Sequence, residues 1–123
     1  MRPTILVVDD EPDVASVLQL VCETLNCDVF VAQSIAEARV KILAGPTPAL
    51  LLLDVVLPDG DGLDFCREVK ATWPSVRVLV LSAYVRPESY AAAQAAGADH
   101  FIPKPFDPEA LVGTIEHLLR SAA

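Results

Sequence analysis

Short apolar runs alternate with apolar positions at helical spacing along the whole chain. Ile5-Leu-Val-Val8 reads as a buried strand. Val14, Val17, Leu18, Val21, Cys22 and Leu25 then return at helical spacing, with Pro12 where a first-turn proline belongs. Val29-Phe-Val31 predicts a second strand. Ser34-Ile-Ala-Glu37 has the form of a capping box, opening a helix whose apolar stripe is Ile35, Ala38 and Ile42. Leu50-Leu-Leu-Leu53 predicts a third strand, and its unbroken hydrophobicity means cover on both faces. Leu63, Cys66 and Val69 mark a third helix, and Val76 to Leu81 a fourth strand. Pro87 to Ala96, closed by Gly97, is helical by propensity but Ala-rich, with a weak stripe. Phe101-Ile102 is a short fifth strand, and Asp107-Pro108-Glu109 starts a last helix carrying Leu111, Ile115, Leu118 and Leu119.

All ten prolines fall at the edges of these segments and none interrupts one. Five strands alternating with five helices predict a single doubly wound α/β domain over residues 1–123, built on a parallel sheet. In such sheets ligands bind at the carboxyl ends of the strands.

Composition narrows the function. Hydrophobic residues make up 53% of the 123 positions and charged residues 21%, which is globular and not disordered. A net charge of −8, from 17 acids and 9 bases, argues against direct nucleic-acid binding, which rests on clustered Lys and Arg. Cys22, Cys27 and Cys66 form no C-x-x-C pair; on apolar helical faces Cys22 and Cys66 read as small buried hydrophobes, which suits a reducing compartment. The apolar stretch at the start is too short for a signal peptide, and the run from Ala49 to Leu57 is far below the roughly 20 residues of a membrane span. The expectation is a soluble, cytoplasmic domain.

The chemistry gathers at strand ends. Asp9, Asp10 and Glu11 follow the first strand, Asp54 ends the third behind four leucines, Ser82 follows the fourth, and Lys104 lies just beyond the fifth. A parallel sheet brings all of these to one edge. Two carboxylates about 5 Å apart repel by about 3 kcal/mol at an effective dielectric near 20, so such a cluster calls for cations. Lys104 supplies one; Mg²⁺, which favours one or two carboxylates, water and a phosphate oxygen, is the natural second. The chemistry suggested is phosphoryl transfer onto a carboxylate. Each member also has a bland reading: the acidic triplet as a helix cap, Ser82 as a turn residue, Lys104 between Pro103 and Pro105 as a solvated loop lysine. It is the set that is specific.

That set closely resembles the receiver domain of bacterial two-component response regulators, over essentially the whole chain. The resemblance rests on Asp9-Asp10, on Asp54 followed by Leu57-Pro58-Asp59-Gly60-Asp61-Gly62, on Ser82-Ala83, and on Phe101-Ile-Pro-Lys104-Pro105-Phe106. It implies a doubly wound (βα)5, flavodoxin-like fold with the family's strand order 2-1-3-4-5. It also implies that Asp54 takes a phosphoryl group from a histidine kinase or phosphotransfer protein. Asp10 and Asp54 would bind Mg²⁺ directly, with the backbone carbonyl of Val56 as a third ligand and Asp9 nearby through water. Ser82 and Lys104 would each hold a phosphoryl oxygen, Lys104–Pro105 would be cis, and Phe101 would be the switch aromatic. Val56 and Tyr84 flank the site in this family; both are bulky and uncharged here, so they are expected to shield the acyl phosphate and lengthen its life.

The resemblance makes the chain no enzyme beyond its own aspartyl phosphorylation and dephosphorylation. Its output would be the surface of the fourth helix, fifth strand and fifth helix, where Ala91, Ala92, Ala93 and Ala95 could admit a partner or a second copy as a homodimer. Three alternatives stand beside it: a phosphate-independent pseudo-receiver, a flavodoxin-like cofactor binder, and a hydrolase with a carboxylate nucleophile. The intact set disfavours the first and Asp9-Asp10-Glu11, which repels phosphate, the second. The third needs a positioned base, and His100 and His117 read as surface residues. The closing residues 120–123 fit a natural end, a linker to an output domain or a cut.

Overall fold

A computed structural model describes residues 2–83 and 85–120. Strand β1 (Thr4–Val8) leads to helix α1 (Pro12–Glu23), then β2 (Asp28–Ala32), α2 (Ile35–Ala44) and β3 (Leu50–Asp54). Helix α3 (Gly62–Thr72), β4 (Arg77–Ser82), α4 (Pro87–Ala95), β5 (His100–Pro103) and α5 (Pro108–Arg120) follow. The strands form one parallel sheet in the order β2-β1-β3-β4-β5. One feature was not expected: within the loop after β3, Val56–Leu57 pairs antiparallel with Gly60–Asp61.

The period of two along each strand divides the core into two layers. Ile5, Val7, Leu50, Leu52, Leu79 and Leu81 pack with α1 and α5, through residues such as Leu18, Cys22, Leu111 and Ile115. Leu6, Val8, Leu51, Leu53, Val78 and Val80 pack with α2 and α3 on the other face. The leucine run is buried throughout, as two covered faces require.

Two helical stripes differ in detail from the periodicity. In α1, Val17 is exposed and Ala15 buried, because Val17 sits about 100° round the helix from Leu18 and turns out of the layer. In α3 the buried face includes Phe65, while Leu63 is only partly buried. All three cysteines are buried free thiols, Cys27 included. Helix α4 buries only Ala93 along its length, in keeping with its weak stripe. It closes at Gly97, φ +93°, where Gly97 N donates to Gln94 O and Ala98 N to Ala93 O, a Schellman ending. No helix among the described residues is long and apolar enough to cross a membrane.

Candidate functional site

Four strands deliver the site. Asp9 follows β1 directly, and its own N–H continues the ladder to Ala32 O at 3.0 Å. Asp54 is the last residue of β3 and Ser82 the last of β4, while Lys104 follows β5 and its N–H donates to Ser82 O at 2.8 Å. The Lys104–Pro105 peptide bond is cis.

Lys104 Nζ lies 2.9 Å from Asp9 Oδ2 and 3.6 Å from both Asp54 Oδ2 and Glu11 Oε1. Asp9 is 1% exposed and its other oxygen accepts from Glu11 N at 2.9 Å. Asp54 is 6% exposed and, among the described residues, accepts a long 3.4 Å bond from Val56 N. Oxygens of Asp9, Asp10, Glu11 and Asp54 all lie within 4.8 Å of one another. The capping alternative fails for Glu11: it stands at the N-cap of α1 with no side-chain cap bond.

The electrostatics follow. Burial pushes the Asp54 carboxyl up to about 6; Lys104 opposes this, while the charges of Asp9 and Asp10 add to it. For Lys104, burial alone would depress the ammonium, but the Asp9 hydrogen bond and the Asp54, Asp9 and Glu11 charges outweigh it and raise the pKa. Four carboxylates cluster here, and one ammonium is shared among three of them. Such a set of hard oxygen donors, short of positive charge, fits a Mg²⁺ ion.

Asp10, Glu11, Asp54, Val56, Ala83 and Lys104 line an open hollow of about 280 Å³. Val56 is 51% exposed at its rim. Ser82, itself buried, borders a neighbouring hollow of about 360 Å³ with Arg86, Ser89 and Phe101. Phe101 is half-buried, its ring centroid 4.6 Å from that of Tyr90 on α4. Tyr84 lies outside the described residues. His100 and His117 are exposed and line neither hollow.

Two residues between Asp54 and the first turn of α3 do structural work that spacing alone conceals. A Cβ on Gly62 would stand 2.1 Å from the Asp54 carbonyl oxygen, and Gly62 N donates to Val55 O at 2.6 Å, so only glycine lets α3 start this close to Asp54. Asp59 reaches away from the site to α2, accepting from Ile35 N and Ala36 N at 2.9 Å each. An acid in a Pro-Asp-Gly turn signals a turn; nothing local identifies a helix 24 residues upstream as its partner.

Residues 5–116 match the response regulator receiver domain family. The chain belongs to that family. Response regulator MprA of Mycobacterium sp. (strain KMS) is 37% identical over 120 residues, which is 98% of this chain and 52% of MprA. Response regulator protein PilR of Pseudomonas aeruginosa is 34% identical over 121 residues, covering 98% of this chain and 26% of PilR. The receiver domain thus spans about half or less of these relatives. Among solved structures, the BeF3-activated DrrB receiver domain superposes with a TM-score of 0.90 at 29% identity, covering 98% of this chain and 99% of that one. The receiver fold and its place in two-component signalling follow from these matches.

Proposed function

We propose that this receiver domain accepts a phosphoryl group on Asp54 from a histidine kinase or a phosphotransfer protein. The observation that carries the reading is Asp54 itself, nearly buried at a strand end, weakly hydrogen-bonded, and faced by Lys104 and three further acids. An Asp54 oxygen attacks phosphorus; the O–P bond forms as the P–N bond to the donor imidazole breaks, and that electron pair returns to the imidazole nitrogen. Asp54, Asp10 and the Val56 carbonyl would hold Mg²⁺, with Asp9 nearby through water. Bound there, the ion would neutralise phosphoryl oxygens and offset carboxylate repulsion. Lys104 Nζ, now spread over three carboxylates, pairs with one phosphoryl oxygen, and the Ser82 hydroxyl donates to another.

Movement of Ser82 toward the phosphoryl group gives the Phe101 ring room to turn inward, and the hollow that Ser82 and Phe101 share supports this. The surface of α4, β5 and α5 then changes, for a partner or for a homodimer. The chain acts only on itself, catalysing its own aspartyl phosphorylation and dephosphorylation. Three buried free thiols accord with a cytoplasmic setting.

Intact mass after incubation with acetyl phosphate and Mg²⁺ tests the reading, with Asp54→Asn alongside. One added phosphoryl group is expected for the wild type, and none for the variant or without Mg²⁺. No addition, even from a competent kinase, overturns the reading in favour of a phosphate-independent interaction module.

A further inference from the structure

The seven residues 55–61 carry the chain from Asp54 to α3, and Val56 within them would lend its carbonyl to the metal. Val56 cannot orient that carbonyl by its own side chain, which is half exposed at the rim of the site. The loop is instead held at its base by the Gly62 N–Val55 O bond, in its middle by the buried Leu57, and at its tip by Asp59.

The tip contact is specific. The four leading N–H groups of an α-helix have no partner within it. In α2 the first helical bond runs from Ala38 N to Ser34 O at 3.0 Å, and Ser34 Oγ accepts from Glu37 N at 3.1 Å, so Ile35 N and Ala36 N are the first-turn groups that still need an acceptor. Asp59 takes both, one with each carboxylate oxygen. Glu37 Oε2 meanwhile bonds Gln33 N, so the local box cannot supply those two groups. The amides of Ala36 and Ile35 hold the Asp59 carboxyl below its usual range, as an anion at a helix N-terminus should be held. Beside it, a Cβ on Gly60 would stand 3.0 Å from Ile35 Cδ1, so the loop tip lies directly against the helix start.

We infer that Asp59 is a positioning residue of the phosphoacceptor site: by pinning the loop tip to the N-terminus of α2, it fixes the Val56 carbonyl for the cation. This rests on the phosphoacceptor reading above, and it gives α2, which contributes no side chain to the acidic hollow, a part in metal binding.

Calorimetric titration of the unphosphorylated protein with Mg²⁺ tests it. Asp59→Ala is expected to weaken Mg²⁺ binding about tenfold, the lower end of what loss of a ligand-orienting partner costs. Asp59→Asn keeps one acceptor oxygen and is expected to lose about threefold, an intermediate share of the same effect, and it carries the test if the alanine variant does not fold. Ser34→Ala removes a cap from the same helix end but leaves the loop fastened, so it should bind Mg²⁺ as the wild type does. Wild-type affinity in both Asp59 variants, or an equal weakening in Ser34→Ala, overturns the role and leaves Asp59 a helix cap. A wild-type chain that takes up no Mg²⁺ overturns the phosphoacceptor reading and this role with it.

Discussion

Both ends of the sheet hold acids against lysine or arginine, but in opposite proportion. At the amino end of β4 and β5 one carboxylate, Asp99, meets Lys70 Nζ at 3.1 Å and Arg77 at 3.5 Å, and accepts from Val78 N at 2.8 Å. Its own N–H donates to Val78 O, so Asp99 splices β5 to the start of β4. Lys70 also donates to Val76 O at 2.9 Å. There the cations outnumber the acid, and the carboxylate is fully partnered. At the carboxyl end four carboxylates cluster and three of them share one ammonium, and the most buried pair, Asp9 and Asp54, have few donors besides Lys104. The acid that serves the fold is fully partnered by the fold. Those at the carboxyl ends of the strands are left short of positive charge, a deficit that the proposed Mg²⁺ would offset.

Removing Lys104 should give the largest effect. Breaking a buried pair leaves an uncompensated charge, so Lys104→Met is expected to cost about 3–5 kcal/mol in urea unfolding with EDTA present. Mg²⁺ should return part of that loss, since a second cation can take the lysine's place beside the carboxylates. If Mg²⁺ restores nothing, the carboxyl end is a closed ion pair like its counterpart, and the contrast fails.

Asp99→Ala should cost less, about 1–3 kcal/mol, mostly by stranding Val78 N and the adjoining cations. Here Mg²⁺ should change the cost no more than it changes wild-type stability. Magnesium dependence beyond that would mean that the two ends are coupled through β4, whose first residues touch Asp99 and whose last is Ser82.

The two ends were not equally legible in the sequence. Strand-end positions of Asp9, Asp54, Ser82 and Lys104 could be read because an alternating βα pattern forces a parallel sheet, and a parallel sheet gathers strand ends. The leucine run announced its double cover for the same kind of reason. Asp99 carries no such signal: its partners lie on α3 and β4, 29 and about 21 residues upstream, and only packing brings them together. Asp59 is hidden in the same way, since its partners are backbone N–H groups that any residue could supply. Helical spacing marked Val17 as core and missed Phe65 because periodicity fixes a stripe's existence better than its centre when apolar residues adjoin on both sides. The antiparallel pairing of Val56–Leu57 with Gly60–Asp61 is too short for any periodicity to reveal.

Asp54 offers the finest test of the deficit. Its carboxyl is pushed from 3.8 up to about 6 in the folded chain. The native state therefore keeps the proton at a pH where the unfolded chain has released it. This contribution to stability is fully present below about 4 and is lost as pH rises through about 6, the reverse of a salt-bridged aspartate. Asparagine keeps the shape and removes the charge. In EDTA, Asp54→Asn should be more stable than the wild type by about 1–2 kcal/mol at about pH 8, a part of what that displacement implies once solvent screening is allowed for. The gain should shrink as pH falls through about 6 and vanish near about 4, where both side chains are neutral. Saturating Mg²⁺ should erode it at high pH, because only the wild type keeps the Asp54 carboxylate to bind the ion. Urea midpoints across the pH range measure all three. A gain independent of pH would trace to packing, and a loss at high pH would mean that Lys104 satisfies Asp54 as fully as Lys70 and Arg77 satisfy Asp99.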